Sequence, residues 1–142
     1  MAARYRSGVL VMPEKLLGKV LAHCLDGAPL EACGLLGGRP GDRAVAERCY
    51  PTHNAAGSAR VFTVDPRDML QADRDEEAAG GELVGVWHSH THTDARPSPT
   101  DVAQAPDPSW HYVVVSLRDV EPTVRSWRIV DGNTEEEPVV LE

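Results

Sequence analysis

The residues from His88 to Asp101, HSHTHTDARPSPTD, place three histidines at alternate positions, then prolines, then an aspartate. On an extended chain His88 and His90 project from one side and Ser89 from the other. Both imidazoles then reach a single ion, and the intervening loop is long enough to fold the Asp101 carboxylate back to them. Two neutral imidazoles and one carboxylate are a common ligand set for a hydrolytic zinc that keeps a fourth position for water. His92 continues the alternation, either as an alternative ligand or as a mobile group at the mouth of the site. The same stretch also reads as a helix start, with Ser98 at the N-cap, Pro99 in the first position and Asp101 returning the capping bond. Ligation and capping are compatible, because a ligand on a first helical turn is held more rigidly than one on a free loop.

A hydrolytic site also needs a group to take the proton from water. Glu82 precedes His88 on the same expected strand but lies about 20 Å away at strand rise, too far to serve. Glu31 directly precedes the apolar run ACGLLGG. An acid at the threshold of a buried element is less simply explained by solubility than the acids of the EEE and DEE runs, so Glu31 is the candidate base. Its competing reading is an edge residue before a strand. Cys33 with a distant histidine outlines a thiol nucleophile, but its neighbours Ala32, Leu35 and Leu36 and the lack of an adjacent cation mark a buried, inert thiol.

These residues need elements to hold them. Val9 to Met12 reads as a short strand, and PEKLLGKVLAHCLDG as a helix with Pro13 in its first turn, Gly27 as its stop and His23 off its apolar face. ACGLLGG and RAVAERCY form a hairpin across the turn at Gly38 to Asp42. RVFTV (Arg60 to Val64) alternates as a strand does, and DPRDMLQADRDEEAAGG reads as an exposed helix whose acids form a solvated face. ELVGVW feeds a strand into His88. HYVVVSL is nearly all apolar and is expected to be a central strand covered on both faces. SWRIVDG and VVL supply the last strands. The order predicts an α/β fold with one mixed or largely antiparallel sheet flanked by helices, and 142 residues fit a single domain spanning 1–142.

The formal charge of -8, from 22 acids against 14 bases, makes nucleic acid an unfavourable partner. Three cysteines, Cys24, Cys33 and Cys49, without a CxxC, fit a reduced, cytoplasmic setting. The apolar run before Pro13 is too short for a signal-peptide core, and no run approaches the roughly 20 residues of a membrane span, so no membrane association is expected.

Glu31, followed far downstream by His88, His90, Ser98 and Asp101 in the spacing HxHx7SxxD, resembles the JAMM signature of the MPN-plus metalloproteases. EACGLLGG also resembles that family's segment around its glutamate, and the resemblance covers essentially the whole chain. It implies the MPN (JAB, cytidine-deaminase-like) fold and one zinc per chain on His88, His90 and Asp101. It further implies Glu31 as general base and then proton donor to the leaving amine. Ser98 would donate to the carbonyl oxygen as it becomes an oxyanion, in competition with its cap. Thr91 departs from the proline that commonly follows the second histidine. The short segments at 37–44 and 101–111 look like the small bacterial members rather than the deubiquitinating ones. The implied partner is a small ubiquitin-like sulfur carrier ending in diglycine, and the implied reaction releases cysteine from its C-terminal glycine. The same residues would serve to trim a C-terminal extension from such a carrier, and the fold alone would serve as a non-catalytic scaffold. A diglycine tail has no side chains and threads extended along a strand edge. Asn54 is a candidate donor to that backbone, and Arg60 or Arg96 a candidate cation for the cysteinyl carboxylate.

Overall fold

The computed structural model describes residues 8–142; the first seven residues, and with them the start of the segment read for a signal peptide, lie outside the described residues. Along the chain run β1 (Val9–Met12), α1 (Glu14–Gly27), β2 (Cys33–Arg39), β3 (Arg43–Thr52), α2 (Pro66–Ala79), β4 (Glu82–His90), α3 (Pro99–Ala103), β5 (His111–Ser116), β6 (Thr123–Val130), β7 (Asn133–Glu137) and β8 (Val139–Leu141). The strands form one sheet in the order β7-β6-β5-β4-β2-β3-β1-β8. Pairing is parallel between β1 and β3, β1 and β8, and β4 and β5, and antiparallel elsewhere, so the sheet is mixed as its sequence predicts. No helix among the described residues is long and apolar enough to cross a membrane.

Helices cover both faces because both faces are apolar. Leu16, Val20 and Cys24 of α1 pack with Leu36, Trp87, Val113 and Val115 in one core cluster. The opposite cluster joins Ala72 of α2 to Leu35, Val86, Tyr112 and Val114. Alternate residues of β5 therefore enter opposite cores, which is why the run HYVVVS is buried throughout. Gly80, at φ 76°, closes α2 in the left-handed conformation that favours glycine, and its N–H caps the carbonyls of Glu76 and Glu77. Asp131 and Gly132, both with positive φ, turn β6 into β7.

Two expectations from the sequence are corrected. Arg60–Val64 is not a strand: only an isolated bridge joins Asn54 to Val64. Side chains take the backbone groups that a ladder would need, with Arg60 N donating to Ser58 Oγ at 3.0 Å and Thr63 N donating to Asn54 Oδ1 at 3.0 Å. The acids of α2 are not all solvated either, and β7 was hidden in an acidic run. Glu76 is fully buried, and Arg48 holds it in a two-pronged pair at 2.6 and 2.9 Å while the Tyr50 hydroxyl also donates to it. A Cβ on Gly37 would stand 2.1 Å from the Glu76 carboxyl carbon, so a side chain at Gly37 cannot coexist with this pair. Glu137 of β7 is likewise buried and bonded to the His111 ring.

Burial alone raises the Glu76 carboxyl, but the bonds from Arg48 and Tyr50 and the Arg48 charge outweigh it and hold the group below its ordinary value. The folded chain therefore takes up this proton less readily than the unfolded chain. The resulting stabilisation is fully present above the ordinary glutamate pKa of about 4.3 and is lost as pH falls through the lower folded value. Glu76→Gln is expected to lower stability at neutral pH and flatten its decline in acid, measured by urea unfolding across the acid range. An acid limb as steep as that of the wild type would contradict this.

Candidate metal centre

β4 is bonded to β2 on one side and β5 on the other, so His88 and His90 stand on a strand fixed along both edges. Their Nε2 atoms lie 3.1 Å apart. Asp101 Oδ2 is 3.0 Å from His88 Nε2 and 3.1 Å from His90 Nε2. All three residues are buried, as is Glu31 at 4% exposure. A carboxylate oxygen of Glu31 and one ring nitrogen from each histidine all lie within 4.8 Å of one another. Two acids thus approach one histidine pair, Asp101 at hydrogen-bond distance from both nitrogens.

Local chemistry fixes each group. His90 Nδ1 sits 2.8 Å from the Asp94 carbonyl, which can only accept, so Nδ1 carries a hydrogen and Nε2, facing Asp101, is the nitrogen that would give up its proton to hold a cation. The His88 ring stacks on Phe62 with centroids 4.2 Å apart. Asp101 Oδ2 also accepts from Ser98 N at 2.8 Å, while Ser98 Oγ accepts from Asp101 N at 3.1 Å, completing a capping box at the start of α3. One aspartate oxygen therefore serves both the helix cap and the histidine pair. Because Ser98 Oγ is the acceptor in the cap, its own hydroxyl hydrogen stays available.

Glu31 is placed through its backbone. Its N–H donates to Ser58 O at 2.9 Å, and its carbonyl accepts from Asn54 Nδ2 at 3.0 Å. Next to it, Ala32 N donates to Ser89 Oγ at 2.9 Å and Ser89 N donates to Ala32 O at 3.0 Å. Ser89, which sequence reasoning passed over, is the strut between the histidine strand and the glutamate. Its signal was a serine in an otherwise apolar strand, facing away from the histidines and therefore in need of a buried partner. Asn54 spends its amide hydrogens on Glu31 O and on Val61 O at 3.1 Å, so in this structure it organises the loop over Glu31.

Electrostatics separates the two acids. Burial pushes the Glu31 carboxyl up to about 7; the His90 charge opposes this and Asp101 adds to it. Burial also acts to raise Asp101, but the bonds to His88 and His90 and the Ser98 N–H overcome it and hold Asp101 far below the carboxylate range. His88 is lowered by burial against the pull of Asp101. For His90, burial pulls downward, and the bonds to Asp101 and the Asp94 carbonyl reverse it and raise the group. A permanent anion and an acid that exchanges its proton near neutrality are the two roles that a hydrolytic centre needs.

The donor set fits a divalent cation. Two Nε2 atoms and one carboxylate oxygen converge, and Glu31 Oε1 is buried without a hydrogen-bond partner. Nitrogen and oxygen donors of this kind suit zinc.

Two cavities flank the centre. An apolar one of about 280 Å³ is bounded by Phe62, Met69, Val86 and Trp110 together with His88 and Asp101. A polar one of about 440 Å³ is bounded by His92, Arg96 and Arg118 together with His90 and Ser98. His92 is exposed on the bend that follows β4 and stands at the rim of the polar cavity. Arg96 lines that cavity, whereas Arg60, exposed in the loop before α2, lines neither.

The chain is similar to known proteins along most of its length. The family described as prokaryotic homologs of the JAB domain matches residues 13–130. The chain is 44% identical over 133 residues to the CysO-cysteine peptidase of Mycobacterium tuberculosis, covering 92% of this chain and 90% of that protein. It is 34% identical over 113 residues to the desampylase of Haloferax volcanii, covering 76% and 80%. The solution structure of a Desulfitobacterium hafniense protein superimposes with a TM-score of 0.87 at 39% identity, covering 94% and 92%. With the histidine pair, both acids and Ser98 gathered at the end of β4, the chain belongs to the JAB family in its prokaryotic branch, the JAMM/MPN group.

Proposed function

We propose that this protein is a zinc metallopeptidase, with one ion per chain on His88, His90 and Asp101. Its proposed reaction cleaves the amide bond between the C-terminal glycine of a small ubiquitin-like sulfur carrier and cysteine, in a cytoplasmic setting. The observation that carries this is the convergence of two imidazole nitrogens and one carboxylate oxygen at 3.0 to 3.1 Å, with a second, unpartnered buried acid alongside. A scaffold has no need of the second acid. The match to the mycobacterial CysO-cysteine peptidase over nearly the whole of both chains supports the choice of substrate.

When bound, the zinc supplies Lewis acidity and a position for water. Glu31 takes a proton from the attacking water as the new C–O bond forms. It delivers that proton to the departing nitrogen as the C–N bond breaks, so the products are the carrier carboxylate and a free amine. The Ser98 hydroxyl donates to the carbonyl oxygen while that oxygen carries negative charge. Burial of Glu31, His88 and His90 keeps their interactions in a low-dielectric setting, where they are stronger than in water.

The test is mass spectrometry on purified protein incubated with a carrier whose terminal glycine bears cysteine. The expected product is the carrier ending in diglycine plus free cysteine, with activity removed by chelation and restored by zinc. An intact conjugate after incubation with zinc-loaded protein would contradict the proposal.

A further inference from the structure

The polar cavity shares His90 and Ser98 with the metal centre, so a group bound there lies beside that centre. Its cationic groups are not equivalent. Arg118 is paired at 2.7 Å with Asp94, which also lines the cavity, so its guanidinium is already engaged by a carboxylate. Arg96 has no carboxylate within 4.0 Å among the described residues, yet its guanidinium is held 5.5 Å over the Trp127 ring. That ring is itself fixed: Trp127 Nε1 donates to Ala95 O at 2.9 Å, and Arg125 covers it at 5.1 Å while forking onto Glu136 at 2.6 and 2.8 Å. Arg96 thus sits on a rigid aromatic platform, with the in-plane N–H groups of its guanidinium uncommitted to an ion pair. A guanidinium with free N–H groups matches the geometry of a carboxylate.

We propose that Arg96 is a specificity residue that binds the free α-carboxylate of a single amino acid on the leaving-group side. This rests on the peptidase reading above and narrows it. A leaving group that is one amino acid presents a carboxylate next to its scissile nitrogen, whereas a lysine ε-amino group within a protein presents none. The cavity therefore selects release of a terminal residue over removal of a carrier from another protein. Its apolar counterpart, on the side of His88 and Asp101, has no cation in its lining to do the same.

The experiment compares two synthetic substrates ending Gly-Gly-Cys, one with a free C-terminal acid and one with a C-terminal amide, at equal zinc loading. The wild type is expected to favour the acid by about ten- to a hundredfold in kcat/KM, as a charge-assisted contact allows. Arg96→Gln should collapse that ratio to about one, with the loss falling on the acid, and Arg96→Lys should restore part of it. Arg60→Gln should keep the wild-type ratio. Equal turnover of acid and amide by the wild type, or a ratio unchanged in Arg96→Gln, overturns the assignment of Arg96 while leaving the peptidase intact. Cleavage of neither substrate overturns the peptidase reading and this inference together.

Discussion

Glu31→Gln is expected to lower kcat by about a hundredfold to ten-thousandfold, the range for loss of a general base, while the bound zinc is retained. The substitution preserves shape and burial and removes only the ability to carry a proton. Retention of metal is the discriminating half of the result, because Glu31 and Asp101 both approach the same two histidines. Before substitution, the activity should rise with pH as Glu31 loses its proton, since the carboxylate is the working form; burial raises its proton affinity in the metal-free site, and the bound cation would move the limb to lower pH. The glutamine variant should lack that limb. Elemental analysis and a pH–rate profile on the same preparations check both halves. A variant that loses its zinc together with its activity would make Glu31 a ligand and end its role as the base.

Asp101→Ala should have the second large effect, on two properties at once. Zinc stoichiometry should fall well below one per chain, with hydrolysis falling to background. Stability should drop by about 1 kcal/mol from loss of the capping box, measured on the metal-free protein. Asp101→Asn separates the two. An amide oxygen can still accept from Ser98 N, so the cap should largely survive, but the negative charge that draws a cation is gone. The aspartate is held far below the ordinary carboxylate range by the histidines and the Ser98 N–H, so it is an anion at every working pH. Metal affinity in Asp101→Asn comparable to the wild type would contradict its assignment.

Much of this site was legible because its spacing is local. His88 and His90 lie on one strand, and Ser98 and Asp101 on one helical turn, so pleat geometry and capping rules place each pair without knowledge of the rest. The link to Glu31 was legible only as a candidate, since its approach depends on β2 lying beside β4 with Cys33 opposite His88. The buried carboxylates at Glu76 and Glu137 were not legible at all. Both sit in acidic runs whose composition signals solvent, and their partners Arg48, Tyr50 and His111 are distant in sequence. Arg60–Val64 misled for the opposite reason. Phe62 does turn inward onto His88, but the Asn54 and Ser58 side chains satisfy the backbone locally. Periodicity reports which side chains are buried, and it does not report who bonds the main chain.

The proposed catalysis depends on a division of labour between two carboxylates, and the most direct measurement is anomalous diffraction at the zinc edge from crystals of the zinc-loaded protein. The predicted result is one ion bonded to the Nε2 atoms of His88 and His90 and to an Asp101 oxygen at about 2.0 to 2.2 Å, with Glu31 outside bonding distance. An ion bonded by Glu31 in place of Asp101, or enclosed by a fourth protein ligand, would contradict it.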